Sequence, residues 1–338
     1  MTENIKYYHY KKPFELEPGG FLPELTIAYH TYGQLNASGD NVVWVCHALT
    51  ANSNPEEWWP GIVGPGCCFD PKDYFIVCAN ILGSCYGTSG AMSINPVTGS
   101  PYFADFPAFT IRDMVAAHEL LRQHLGIHKI KVCLGGSCGG HQVLEYSIMY
   151  PDVLAQSVIL VSGATETAWR IAIHTTQRMA IEADQSWGDP SEEAASNGLR
   201  AARGIGLLTY RTSEAFINTQ SDTDPSKLDD YMASSYIRYQ GDKLVNRFNA
   251  YSYWQLTKAL DTHHIGRNRG EIEEVLSGIQ ARTLLISIDT DVLIPPREQE
   301  YLSKHIPNSK YEMIRSDFGH DGFLIEAQKI SECINRFL

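Results

Sequence analysis

The pentapeptide Gly135-Gly136-Ser137-Cys138-Gly139 has the pattern G-x-S-x-G. It follows a β-rich apolar run at 130–134 and precedes a helical stretch at 141–150. A serine in that setting is presented on a sharp turn, and the glycines let backbone segments pack close around it. The helix start behind it favours developing negative charge. This is the chemistry of a nucleophile. A plain glycine-rich turn needs no serine between two pairs of glycines.

A serine nucleophile needs a base, and the base needs an acid to orient it. With this turn the expected chain order is Ser, Asp, His. Downstream, an apolar run at 283–288 leads into Asp289-Thr290-Asp291, and both acids qualify. The last strand-like run leads to Ser316-Asp317-Phe318-Gly319-His320-Asp321, where His320 is the histidine in the right context. His305 sits in a helix-like surface segment. His124 and His128 are separated by the helix-breaking Gly126, and His263-His264 are adjacent and point apart, so no metal site is expected. His141, one turn after Ser137, is placed to line a pocket. An oxyanion needs two N–H donors: Cys138, just after the nucleophile, and Leu49, in the loop after the run at 41–46. His47, beside Leu49, reads as a hydrogen-bonder that shapes this loop rather than as a catalytic group.

These residues must be held by strands and helices. Candidate strands lie at 25–29, 41–46, 74–79, 130–134, 158–162, 283–288 and 310–314. Most are continuously apolar, as strands buried on both faces of a mostly parallel sheet are. Thr110 and Asp113 read as a capping box opening a helix that Gly126 ends. This alternation predicts an α/β fold. From 163 to 270 the patterns are helical, at 169–183, 192–205 and 249–260, with no strand. The expected organisation is therefore a core in two pieces, 1–162 and 271–338, interrupted by a helical lid at 163–270. Two long loops, 48–71 and 80–107, follow strands, where such folds place their sites.

The chain has 338 residues and a net charge of 27 − 39 = −12, with 43% apolar residues. That composition is globular. It offers no basic footprint for nucleic acid, and no run is long enough to span a membrane. The stretch 1–6 lacks the apolar core of a secretory signal, so a cytoplasmic location is expected and the sequon Asn36-Ala37-Ser38 should be idle. Eight cysteines without a C-x-x-C pair fit small buried apolar residues in a reduced protein.

The sequence resembles the homoserine O-acetyltransferase family, acyltransferases of methionine biosynthesis with the α/β-hydrolase fold. The resemblance runs through Leu22-Pro23-Glu24-Leu25, Val45-Cys46-His47-Ala48-Leu49-Thr50, Leu82-Gly83-Ser84-Cys85-Tyr86-Gly87 and Thr110-Ile111-Arg112-Asp113-Met114. It continues through the Ser137 turn, Gln177-Arg178-Met179-Ala180-Ile181, Tyr239-Gln240-Gly241-Asp242-Lys243 and Ser316-Asp317-Phe318-Gly319-His320-Asp321. It implies Ser137, Asp291 and His320 as a triad, favouring Asp291 over Asp289. It also implies Arg203 and Asp321 as holders of an amino-acid substrate, the guanidinium for the carboxylate and the aspartate for the ammonium. Departures fall at Cys138, at His141 and at Ala172-Ile173-His174-Thr175-Thr176. They leave the triad alone and bear on acyl and acceptor specificity.

The activity this implies is acetyl transfer from acetyl-CoA to L-homoserine through an acyl-serine, with no cofactor and in a homodimer. Succinyl-CoA as donor, serine as acceptor, and hydrolysis by the same triad are the alternatives. An acidic chain must recruit polyanionic CoA by local cations, for which Arg178, Arg238 and Lys243 are the candidates.

Overall fold

All seven predicted strands form, and they lie in one eight-stranded sheet. The structure is a computed structural model describing residues 4–338; the first three residues of the N-terminal stretch read above lie outside them. The strands are β1 (Lys6–Tyr10), β4 (Leu25–Tyr32), β5 (Val42–Cys46), β6 (Phe75–Ala79), β7 (Ile130–Gly136), β8 (Leu154–Leu160), β9 (Arg282–Ile288) and β10 (Ser309–Ile314). Two-residue strands β2 (Phe14–Glu15) and β3 (Phe21–Leu22) make a separate hairpin. The sheet order is β1-β4-β6-β5-β7-β8-β9-β10. The pairs β1–β4 and β4–β6 are antiparallel and all the others are parallel.

The continuous apolar runs have the physical cause expected of them. Val42, Trp44 and Cys46 of β5 join one core, while Val43 and Val45 join a second core on the opposite face. The first core is closed by α2 (Ile111–His124), α3 (Cys138–Met149) and α8 (Ala250–Asp261). The second is closed by Phe323 and by Ile330, Ile334 and Phe337 of α12 (Ala327–Phe337). With both faces covered, alternation disappears from the sequence. β1 escaped the sequence reading because Lys6–Tyr10 is a largely exposed edge strand of tyrosines and one histidine. β8 starts at Leu154 and stops at Leu160, two residues short of the apolar run, because Val161 turns to φ 40°.

Between β8 and β9 the chain is helical: α4 (Ala168–Glu182), α5 (Ser196–Tyr210), α6 (Ser213–Gln220), α7 (Met232–Val245), α8 and the short α9 (Ile272–Ser277). Helices α6 and α7 were not anticipated. Both carry large exposed apolar residues, such as Ile217 and Tyr239, which blur the helical period. α5 begins at Ser196 rather than 192 and runs on to Tyr210. The loop at 48–71 contains α1 (Pro55–Trp58). Completing the set are α10 (Pro296–His305) and α11 (Gly322–Ile325).

The capping box at α2 forms as read. Thr110 accepts from the Asp113 N–H at 3.4 Å, and Asp113 Oδ2 accepts from the Thr110 N–H at 2.8 Å. Thr110 Oγ1 also donates to Glu17 Oε2 at 2.7 Å, which ties the N-terminal segment to the helix. Thr110→Ala should lower stability by about 1–2 kcal/mol, read as a reduced urea midpoint with an unchanged slope. An unchanged midpoint would show that the cap is dispensable.

Candidate active site

Ser137 sits between β7 and α3 with φ 57° and ψ −122°, a left-handed backbone that an L-residue adopts only under constraint. The constraint is close packing by glycine. A Cβ at Gly139 would lie 2.1 Å from the Cys46 carbonyl oxygen, and one at Gly135 would lie 2.6 Å from the Gly139 backbone. β5 and the first turn of α3 therefore touch through bare backbone, and the turn has no room to relax.

The two candidate acids separate by what they already bond. Asp289 Oδ1 accepts from the Ser316 N–H at 2.9 Å and closes the turn after β10. Asp291, 3% exposed, accepts through Oδ1 from the Leu293 and Ile294 N–H groups at 2.8 and 2.9 Å. Its Oδ2 lies 2.7 Å from His320 Nδ1, and His320 Nε2 lies 2.8 Å from Ser137 Oγ. With the carboxylate fixed by two backbone donors, Nδ1 must carry the ring proton and Nε2 is left to accept from the serine. Ser137, His320 and Asp291 thus lie in one hydrogen-bonded line.

The loop after β5 is braced by the buried His47. Its Nε2 accepts from the Ile81 N–H at 3.1 Å, so Nδ1 carries the proton and donates to the Ala48 carbonyl at 2.8 Å. That carbonyl shares its peptide unit with the Leu49 N–H. Holding the oxygen from one side fixes where the N–H points. Burial holds His47 down to about 4, which keeps it in the neutral form this arrangement requires. Leu49 and Cys138 both line the cavity at Ser137. Cys138 opens α3, and burial pushes its thiol up to about 12, so it presents no thiolate to the cavity.

The cavity has a volume of about 440 Å³. Arg203 and Asp321 both line it. Arg203 lies against the Tyr210 ring at 5.7 Å. Asp321 receives Arg211 Nε at 3.1 Å through Oδ2, a partner not anticipated from sequence. Of the three cations proposed for CoA, Lys243 lines the cavity. Arg178 does not: it is buried and paired with Asp261 at 2.6 Å. Arg238 lines a separate depression between α5 and α7. Arg247, missed in the sequence, lines the cavity and donates to the Thr50 carbonyl and to Tyr86 Oη. His141 also lines it, with its ring 4.1 Å from that of His263. Beside them Arg170, 2% exposed, joins Glu166 at 2.9 Å and Glu298 at 2.7 Å. His174, from the departing segment, pairs with Asp261 at 2.9 Å. No cluster that could hold a metal ion occurs among the described residues.

Four buried histidines are held neutral. Burial lowers His47 to about 4 and His118 and His263 to about 3. It lowers His141 well below the usual value, helped by His263 and Arg170. Each titrates near 6.5 when unfolded, so its contribution is intact above that pH and lost as pH falls toward the folded value. Asp113 and Glu166, pushed up by burial, act in the opposite sense. The urea midpoint should hold from pH 8 to 7 and then fall steeply below ~6.5, each histidine adding up to about 1.4 kcal/mol per pH unit. A midpoint constant down to pH 5 contradicts this.

Comparison with known proteins gives the family and the fold. A family model described as the alpha/beta hydrolase fold matches residues 41–327. A homoserine O-acetyltransferase of Cyclobacterium marinum is 48% identical over 337 residues, covering 100% of this chain and 95% of that protein. One from Chloroherpeton thalassium is 43% identical over 340 residues, covering 100% and 90%. The crystal structure of homoserine O-acetyltransferase from Bacillus anthracis superposes with a TM-score of 0.88 at 25% identity, covering 99% of each chain. Esterase E22, at 23% identity and a TM-score of 0.89, shares the fold. The chain belongs to the homoserine O-acetyltransferase family, acyltransferases built on the α/β-hydrolase fold.

Proposed function

We propose that this enzyme transfers an acetyl group from acetyl-CoA to the side-chain hydroxyl of L-homoserine, through an acetyl-serine at Ser137. The observation that carries the reading is the position of His320, within hydrogen-bond reach of both Ser137 Oγ and Asp291. His320 Nε2 takes the Ser137 proton as Oγ attacks the thioester carbonyl. Asp291 stabilises the imidazolium and keeps its proton on Nδ1. The Leu49 and Cys138 N–H groups receive the oxyanion. The C–S bond then breaks, His320 returns the proton to the leaving thiolate, and CoA departs.

Homoserine enters in the second half. Its carboxylate faces Arg203 and its ammonium faces the Asp321 oxygen left free by Arg211. His320 accepts the proton of the side-chain hydroxyl, that oxygen attacks the acetyl carbonyl, and O-acetylhomoserine leaves with Ser137 restored. No cofactor is required. Transfer must outrun hydrolysis, and helices α4 to α8 read as a lid that narrows the approach of water. Lys243 at the cavity mouth is the cation offered to the CoA phosphates. The family likeness carries the expectation of a cytoplasmic homodimer.

Acetyl-CoA without homoserine should yield a protein heavier by one acetyl group, mapped to Ser137 by mass spectrometry. Ser137→Ala should yield none, and acylation of that variant would sink the mechanism. Asp291→Asn should lower kcat by roughly 10³- to 10⁴-fold with little change in KM, whereas Asp289→Asn should affect stability more than turnover.

Acceptor binding is tested apart from acylation. Arg203→Ala should raise the KM for homoserine by about 10- to 100-fold and leave the rate of Ser137 acylation within a few fold. A donor–acceptor matrix of acetyl-CoA and succinyl-CoA against homoserine and serine should peak at acetyl-CoA with homoserine. CoA release that ignores homoserine would instead identify a hydrolase.

A further inference from the structure

The loop that carries Leu49 is held from two sides, and the outer hold comes from the helical insertion. Arg247 follows α7 and stands just before α8. Its Nη1 donates to the Thr50 carbonyl and, at 2.6 Å, to Tyr86 Oη; its Nη2 lies 3.4 Å from Thr50 Oγ1. Its own carbonyl accepts from Cys85 Sγ at 3.6 Å. The next residue, Phe248, packs edge-on to the Tyr86 ring at 5.7 Å. Two consecutive residues of the insertion thus grip both functional loops, the one after β5 and the one after β6. Among the described residues no carboxylate pairs with Arg247; its guanidinium is engaged by a carbonyl and a phenol.

The grip falls one residue beyond the candidate oxyanion donor. On the inner side His47 fixes the Ala48–Leu49 peptide unit, and the Ala51 N–H bonds the Ala48 carbonyl at 3.0 Å. Ser53 is tied to Asn80 at 2.9 Å, which in turn donates to the Tyr86 carbonyl at 2.9 Å. Between these two anchored points lies Thr50, whose carbonyl has Arg247 as its bond. A charged donor on a carbonyl is about twice as strong as a neutral one, and a guanidinium fork fixes direction as well as distance. Without it the Thr50 carbonyl would lose its charged donor, and the turn would rest on the neutral bonds at Ala51 and Asn52.

We infer that Arg247 is a positioning residue for acyl transfer: by clamping Thr50 and Tyr86 to the helical insertion it holds the Leu49 N–H in place for the oxyanion. The inference rests on the mechanism proposed above. It differs from a donor-binding role, in which the same cation would attract CoA phosphates. A clamp lowers kcat for every acyl donor, large or small. A phosphate-binding cation raises the KM for acetyl-CoA alone.

The test uses the full-length enzyme with two donors, acetyl-CoA and p-nitrophenyl acetate, the latter having no phosphate. Arg247→Ala should lower kcat by about 10- to 100-fold with both donors, with the homoserine KM within about threefold of wild type. Arg247→Lys should recover only part of the loss, since an ammonium cannot fork between Thr50 and Tyr86, and added methylguanidinium should restore activity to the alanine variant. Arg247→Gln and Tyr86→Phe carry the same readout should the alanine variant not fold; Tyr86→Phe removes one arm of the clamp and should lower kcat by a smaller factor with both donors. Unchanged kcat in these variants overturns the inference. So does a loss confined to the KM for acetyl-CoA. Wild-type Ser137 acylation is measured in the same series, so a wild-type enzyme that never acylates counts against the mechanism rather than against the clamp.

Discussion

The site depends on one close contact. The α-carbon of Gly139 lies so near the Cys46 carbonyl that any side chain there would overlap it. Because β5 and α3 meet through backbone alone, the turn at Ser137 is forced into a left-handed conformation that serine would not choose. The same contact brings the end of β5, and with it His47, Leu49 and Thr50, alongside the first turn of α3. The two candidate oxyanion donors therefore become neighbours for the reason that makes the serine protrude. Strain at the turn and preorganisation of the hole are one packing event.

The electrostatics are local rather than global. A chain of net charge −12 repels a polyanion at long range. Inside, most cations are already matched: Arg170 with Glu166 and Glu298, Arg178 with Asp261, Arg211 with Asp321. Arg203, Lys243 and Arg247 line the cavity, and among the described residues none of the three has an ion-pair partner; Arg247 is engaged instead by the Thr50 carbonyl and Tyr86. His141, which lines the same cavity, is held neutral by burial, while the His320 ring itself packs against Tyr210 and Phe323.

Much of this was legible in the residues. Strands buried on both faces announced themselves as unbroken apolar runs, and the glycines around Ser137 marked the turn. The choice between Asp289 and Asp291 was not legible from spacing, because both follow β9. It depends on which carboxylate the Ser316 N–H already occupies, and that is a tertiary fact; only the family likeness pointed to Asp291 beforehand. Arg247 and Arg211 were missed for a related reason. An arginine in a helical block reads as a solvated charge until the fold brings a carbonyl or a carboxylate to it. β1 and the helices α6 and α7 were lost because exposed aromatic and apolar side chains erase the period on which such readings rely.

The sheet order has a consequence for the birth of the protein. β8 and β9 are neighbours in space, yet residues 161–281 lie between them in the chain. Ser137 leaves the ribosome well before Asp291 and His320, and the helices over the cavity emerge in the interval. N-terminal segments fold first during synthesis, but here Ser137 has no imidazole beside it until nearly the whole polypeptide exists. The order of synthesis thus supplies the cover before the Ser137–His320 hydrogen bond can form, and a prematurely terminated chain lacks that bond altogether.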